Sequence, residues 1–172
     1  VRFWFDTEFI ENGPDSPVVP LSIGIVADDG RRYYAINRDA DWTVANVWVQ
    51  TNVIPYLEPA SEEKFYRHRG EIAEEIEEFV GDKPEFWGYY CDYDWVVLCQ
   101  LYGTMVDLPK GWPMFCLDVK QLAWMLGNPK LPKQDPDAEH QALNDALWTK
   151  AAWEFLLDFW DPAIAKARKS DA

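Results

Sequence analysis

The chain opens Val1-Arg-Phe-Trp-Phe-Asp6, a run with large aromatic groups at both odd and even positions. Side chains alternate across a strand, so such a segment presents apolar surface on both faces and belongs at the centre of a sheet covered on each side. A covered sheet needs helices, and the remaining pattern supplies them. Val18–Ala27 and Arg32–Asn37 are β-rich runs separated by Asp28-Asp29-Gly30, a hairpin signal, so the first three strands are predicted to form an antiparallel meander. Helices are predicted over Val44–Asn52 and over Ser61–Val80, the second with Ser61 as N-cap and with Phe65, Ile72, Ile76 and Phe79 on one side. Glu85–Tyr90 reads as a fourth strand, Asp94–Tyr102 as a helix stopped by Gly103, and Met114–Leu117 as a fifth strand leading into a helix from about Asp118 to Leu126. Pro129, Pro132 and Pro136 make 128–137 a loop, and a long apolar helix follows from about Gln141 to Phe159. The order βββαβαβα predicts an α/β fold with a mixed five-stranded sheet and helices on its faces.

At 172 residues the chain fits one domain, expected over 1–162, with the small, charged segment 163–172 as a frayed tail. The cysteines Cys91, Cys99 and Cys116 are odd in number and lack C-x-x-C spacing, so neither a disulfide framework nor a thiolate zinc site is indicated. No stretch approaches the roughly 20 apolar residues of a membrane span. A soluble, cytoplasmic protein is expected. The net charge of −14 argues against a long duplex-binding surface, because phosphate binding is driven largely by Lys and Arg displacing counterions. It leaves room for a pocket that grips one strand end, where divalent cations held by carboxylates supply positive charge locally. Ten tryptophans exceed what a small core needs and leave some for stacking on flat ligands.

Three segments carry candidate chemistry. In Phe5-Asp6-Thr7-Glu8-Phe9 two carboxylates stand at i and i+2 at the end of the first strand and so project to the same side. A solvated strand end and a metal site fit that pair equally well; if it is a metal site, oxygen ligands suit Mg²⁺ or Mn²⁺, and the shortage of Cys and His disfavours zinc. In Gly88-Tyr-Tyr-Cys-Asp92-Tyr-Asp94-Trp an acid sits at a strand-to-helix junction, with Asp92 and Asp94 competing for the role and a helix N-cap as the plain alternative for either. In His140-Gln-Ala-Leu-Asn-Asp145 the two functional groups are five apart, about 140° around a helix. They cannot share a helical face, so His140 is predicted on the entering loop and Asp145 on the first turns of the helix.

Together the three segments resemble the motifs of the DEDD exonuclease superfamily, histidine subclass, in order and spacing, over about residues 2–150. The resemblance implies an RNase H-like fold and a metal-dependent 3′-to-5′ exonuclease. Aligning Tyr93-Asp94 with the family's aromatic-Asp selects Asp94 over Asp92. It implies two Mg²⁺ or Mn²⁺ ions, with Asp6 bridging them, Glu8 and Asp145 on the ion that carries the attacking water, Asp94 on the second ion and His140 as general base. Products would be nucleoside 5′-monophosphates. Within the superfamily, Asp6-Thr-Glu-Phe-Ile and Leu98-Cys-Gln-Leu-Tyr-Gly103 are most similar to the actinobacterial RNase AS group of polyadenylate-specific exoribonucleases. Tyr89-Tyr90 replaces the His-Asn of many members, and Phe9 stands where many have Thr; the RNase AS group shares the Phe.

The implied substrate is the 3′ end of single-stranded RNA with 3′ adenylates preferred, and the relatives imply a homodimer. Phe9 is the first candidate for base stacking. Trp48 and Asn52 resemble a Trp-x3-His segment of oligoribonuclease with Asn in place of His, although a core role for Trp48 fits as well. A single-stranded DNA exonuclease or an oligoribonuclease-type enzyme is the rival within enzymes. An inactive RNase H-like RNA-binding module is the rival outside them.

Overall fold

The computed structural model describes residues 1–57, 63–137 and 139–170, apart from the side chains of 158–159 and 161–170. A six-stranded mixed sheet forms its centre. Its strands are β1 (Arg2–Ile10), β2 (Val19–Ala27), β3 (Arg32–Asn37), β4 (Tyr66–Arg67), β5 (Glu85–Gly88) and β6 (Leu117–Asp118), in the order β4-β3-β2-β1-β5-β6. β1, β2 and β3 form the antiparallel meander, β5 and β6 add in parallel on one side, and β4 adds in parallel on the other. The five predicted strands are all present. The sixth, β4, is a two-residue edge strand whose pairing with Ile36 and Asn37 is non-local and leaves no period in the sequence.

The helices are α1 (Val47–Asn52), α2 (Ile54–Leu57), α3 (Arg69–Val80), α4 (Asp92–Tyr102), α5 (Val119–Met125) and α6 (Ala142–Ser170). Phe3 and Phe5 on one face of β1 join Ile72, Ile76, Phe86 and Leu98 beneath α3 and α4, while Trp4 on the other face joins Val119, Leu122, Trp153 and Leu156 beneath α5 and α6. The two-faced aromatic strand is thus buried on both sides, as its composition required. A third cluster, built on Ile10, Leu21, Val49 and Leu57, seats α1 and α2 at the far end of β1.

Several boundaries differ from those predicted. The helix expected over 61–80 starts at Arg69, because β4 draws Tyr66–Arg67 into the sheet and the new first turn is tied down by the carboxylates of Glu71, within the helix, and Asp39, outside it. The His68 N–H donates to Glu71 Oε2 at 2.7 Å and the Arg69 N–H to Asp39 Oδ2 at 2.8 Å. Ser61, expected as the cap, lies outside the described residues. β1 extends past Asp6 to Ile10, with a bulge between Glu8 and Phe9, and the predicted strand at 114–117 is shifted to Leu117–Asp118. Asp118 ends β6 and caps α5, its Oδ1 accepting from the Gln121 N–H at 2.9 Å.

Candidate active site

Asp6 and Glu8 project from the α6 face of β1, one on either side of Thr7. Asp145 reaches them from the first turn of α6, and one ligand oxygen from each of the three carboxylates lies within 4.8 Å of the others. This convergence depends on a glycine. Gly24 on β2 is the cross-strand partner of Asp6, and α6 crosses there so closely that a Cβ on Gly24 would stand 2.3 Å from the Leu143 nitrogen and 2.4 Å from the Ala142 carbonyl carbon. Only a residue without a side chain lets the helix backbone rest on the strand, two residues before Asp145.

Asp94 arrives from the other side of β1. β1 pairs with β5 only over Arg2–Trp4, so beyond Trp4 the edge of β1 is open to the first turn of α4. The Thr7 N–H donates to Asp94 Oδ1 at 2.9 Å and the Thr7 hydroxyl donates to the same oxygen at 2.5 Å. Both bonds fall on one carboxylate oxygen and fix the group's orientation. Asp92, the competing acid, is exposed, whereas Asp94 is buried. Neither is the N-cap of α4, which is Cys91.

Burial and mutual repulsion make the four acids hard to ionise together. The Asp6 carboxyl is raised well above its ordinary range by desolvation and then by the charges of Asp94, Glu8 and Asp145. Glu8 is raised by burial and then by Asp145 and Asp94. Burial pushes Asp94 up to about 6 against the two Thr7 hydrogen bonds, which favour its anion. Asp145 is raised by desolvation, with opposing help from Gln134, whose side-chain amide donates to Asp145 Oδ1. An all-oxygen set of crowded carboxylates fits hard divalent cations, which would relieve the repulsion.

His140 lies outside α6, on the entering loop, with a left-handed backbone at φ 63°. Its ring meets Trp48 edge to face at 5.2 Å between centroids. Trp48 is 56% exposed, so it is a surface residue and not part of the core. Two cavities of about 270 Å³ flank the carboxylates. Tyr89, Gln134, His140 and Trp148 help to line one with Asp6 and Asp145; Phe9, Trp48 and Val49 help to line the other with Glu8. Phe9 stacks on exposed Tyr93 at 5.4 Å and 16° between planes, forming a two-ring unit. Asn52 is not brought into either cavity: its side-chain amide turns back to donate to the Trp48 carbonyl at 2.9 Å.

Sequence reasoning missed Thr7, Gln134, Trp148 and the second ring at Tyr93. Trp148 carried a signal, since i+3 from Asp145 puts it on the same helical face. Thr7 and Gln134 act across long separations that local pattern does not register. The Asp94 geometry gives a graded expectation. Asp94→Asn should lose at least about a hundredfold in turnover and Asp92→Asn less than about threefold, and Thr7→Val, which keeps the backbone donor, should fall about tenfold or 1.4 kcal/mol. Steady-state kinetics on labelled RNA checks the ranking, and equal losses at positions 92 and 94 would contradict it.

The sheet order and flanking helices form an RNase H-like fold, shared with exonuclease I. Escherichia coli exonuclease I in its zinc-bound complex with single-stranded DNA superposes with a TM-score of 0.62 at 14% identity over 92% of this chain, and its complex with a dT13 oligonucleotide gives 0.58 at the same identity and coverage. The chain spans 42% of the length of those structures, and the likeness is one of fold. The family is narrower. The family model of the Rv2179c-like 3′-5′ exoribonuclease domain matches residues 1–157, and the 3′-5′ exoribonuclease Rv2179c of Mycobacterium tuberculosis H37Rv is 41% identical over 150 residues, 85% of this chain and 87% of the relative. The chain belongs to the Rv2179c-like family and is a 3′-5′ exoribonuclease. Among the described residues no helix is long and apolar enough to cross a membrane.

Proposed function

We propose that the enzyme removes nucleotides from the 3′ end of single-stranded RNA at the Asp6–Glu8–Asp94–Asp145 cluster, with a preference for 3′ adenylates and release of nucleoside 5′-monophosphates. The observation that carries this reading is the convergence of three carboxylates within 4.8 Å between two aromatic-lined cavities, with Asp94 oriented by Thr7 at the open edge of β1. Asp6, Glu8 and Asp145 would hold one divalent ion and Asp6 with Asp94 a second, Mg²⁺ or Mn²⁺. Bound there, the ions would neutralise charge on the scissile phosphate and make water more acidic.

The chain's own groups do the rest. His140 stands on the loop at the mouth of the cavity and takes the proton from the attacking water, which requires its neutral form. The edge contact with Trp48 limits how far the His140 ring can swing. Gln134 holds one oxygen of Asp145, so that carboxylate presents the other. The Phe9–Tyr93 pair and Trp48 give terminal bases apolar faces to lie on, worth about 1 to 3 kcal/mol per stacked base.

Stacking accepts every base, so a preference for adenine rests on hydrogen bonds to its edge. With Mg²⁺ the enzyme should shorten oligo(A) at least about tenfold faster than oligo(U) or oligo(C), about 1.4 kcal/mol in the transition state, and release 5′-AMP. Phe9→Ala should slow all three and narrow their differences only partly. Equal rates on the homopolymers, or DNA cleaved faster than RNA, would remove the adenylate reading and leave the nuclease chemistry standing.

A further inference from the structure

The cations of this acidic chain are not spread evenly. With 16 Lys and Arg against 30 Asp and Glu, a basic surface is unexpected, yet among the ten residues lining a single cavity of about 700 Å³ the cations Arg31, Arg32, Lys64 and Arg67 outnumber the acids Glu75 and Glu78. It lies along the outer edge of β3, where β4 pairs only with Ile36 and Asn37 and leaves the first half of β3 paired to β2 alone among the described strands. Two of the cations lie beside aromatic rings. The Arg31 guanidinium lies 4.8 Å from the Phe79 ring centre and the Lys64 ammonium 4.9 Å from that of Phe65. Phe65 in turn meets Tyr34 edge to face at 5.3 Å.

Tyr34 connects this groove to the active site. It pairs across Gly24, which pairs across Asp6, so the three residues stand on one face of three adjacent strands. Two inter-strand spacings separate Asp6 from Tyr34, roughly 10 Å. Burial pushes the Tyr34 hydroxyl up to about 12, its side chain lies beside Ser22 and Gln141, and the charge of Glu8 reaches it. One wall of the basic groove is therefore a near neighbour of the carboxylate cluster, and Gln141 directly follows His140.

We propose that this groove holds the body of the RNA, 5′ of the nucleotides in the active site. Guanidinium and ammonium groups neutralise successive phosphates, and Phe65 with Tyr34 offers faces to the unpaired bases between them. The ion pairs already present do not close the groove. Arg31 with Asp29 at 2.8 Å and Arg67 with Glu75 at 2.7 Å are surface pairs, worth little against water, and phosphate competes with them readily. Flat rings beside cations favour a single-stranded nucleic acid, in which every residue carries both a phosphate and a planar base, over an acidic peptide, whose acidic side chains carry no ring to stack. The inference deepens the proposed function and rests on it: RNA threaded from the carboxylates is what would reach the groove.

The test is a length comparison. The double variant Arg32→Glu/Lys64→Glu changes two groove positions that line neither cavity at the carboxylates and is compared with wild type on 5′-labelled oligo(A) of three and of twenty nucleotides. The variant should lose about tenfold in kcat/KM on the 20-mer through KM, keep trimer turnover within about twofold, and show a salt dependence of 20-mer binding shallower by about 1.4 in log-log slope, two phosphates' worth. Arg32→Lys should behave as wild type. An equal loss on both lengths, or none on the 20-mer, overturns the groove. Wild-type failure to cut the trimer in Mg²⁺ counts instead against the carboxylate site, and anisotropy of a fluorescent 20-mer then decides the groove separately: weaker binding by the double variant supports it and unchanged binding overturns it.

Discussion

Gly24→Ala should abolish measurable RNA hydrolysis and destabilise the protein, a large effect for one methyl group placed outside every cavity of the site. The new Cβ would stand 2.3–2.4 Å from backbone atoms of Ala142 and Leu143, and backbone cannot rotate away as a side-chain tip can. Either β2 is pushed out of register with β1 or the first turn of α6 lifts, and both carry Asp145 away from Asp6 and Glu8. Overpacking typically costs about 1 to 3 kcal/mol and sometimes more, against which the entropy gained by replacing glycine offsets less than about 1. A drop of that size is a Tm lower by roughly 2 to 12 °C for a chain of this length. Thermal unfolding and single-turnover kinetics check both halves. A variant with wild-type Tm and wild-type turnover would show that the helix does not rest on the strand there.

The opposite combination is expected of Asp6→Asn: no activity, but a more stable metal-free protein at neutral pH. Asp6 is raised by burial and then by three neighbouring anions, so the native state binds more protons than the unfolded chain once pH exceeds the unfolded value of about 3.9. Stability then falls as pH rises, because the slope follows protons bound unfolded minus protons bound native, which is negative here. Asp94, raised to about 6, has the same sign. In EDTA the wild-type Tm should therefore decline from about pH 4 through pH 6 and above, and Mg²⁺ or Mn²⁺ should restore it. Asn at position 6 is neutral, so the variant's curve should be flatter and its Tm a few degrees higher at pH 7.5, with little gain from added cation. A variant less stable than wild type across that range would mean that Asp6 is a structural acid and not one member of a repelling cluster.

Which parts of this arrangement could be read without coordinates follows from the range of the interactions. Alternation along β1 is local, so the two-faced burial of Phe3, Trp4 and Phe5 and the shared direction of Asp6 and Glu8 were visible in the residues themselves. The angular argument that kept His140 off the helix was also local, and α6 starts at Ala142. Thr7 was different. Its hold on Asp94 spans 87 positions and exists only because β5 stops short and frees the edge of β1. The start of α3 was missed for a similar reason: the Glu-rich helical period runs on before Arg69, but pairing with β3 outweighs it. Asn52 shows the limit of matching by motif, since a shorter amide in place of an imidazole bonds to its own helix and does not reach outward. Gly24 gave no sign of its importance, because an isolated glycine in a strand marks close approach without saying what approaches.

Whether the enzyme shortens RNA from its 3′ end with divalent cations that Asp6, Glu8, Asp94 and Asp145 would hold is tested most directly by product analysis of 5′-labelled single-stranded oligo(A) over a Mg²⁺ titration. Shortening is expected in single-nucleotide steps with 5′-AMP as the released product, with none in EDTA and none at any Mg²⁺ concentration for Asp6→Asn. Wild-type cleavage in EDTA, internal cuts, or near-normal turnover by Asp6→Asn would contradict it.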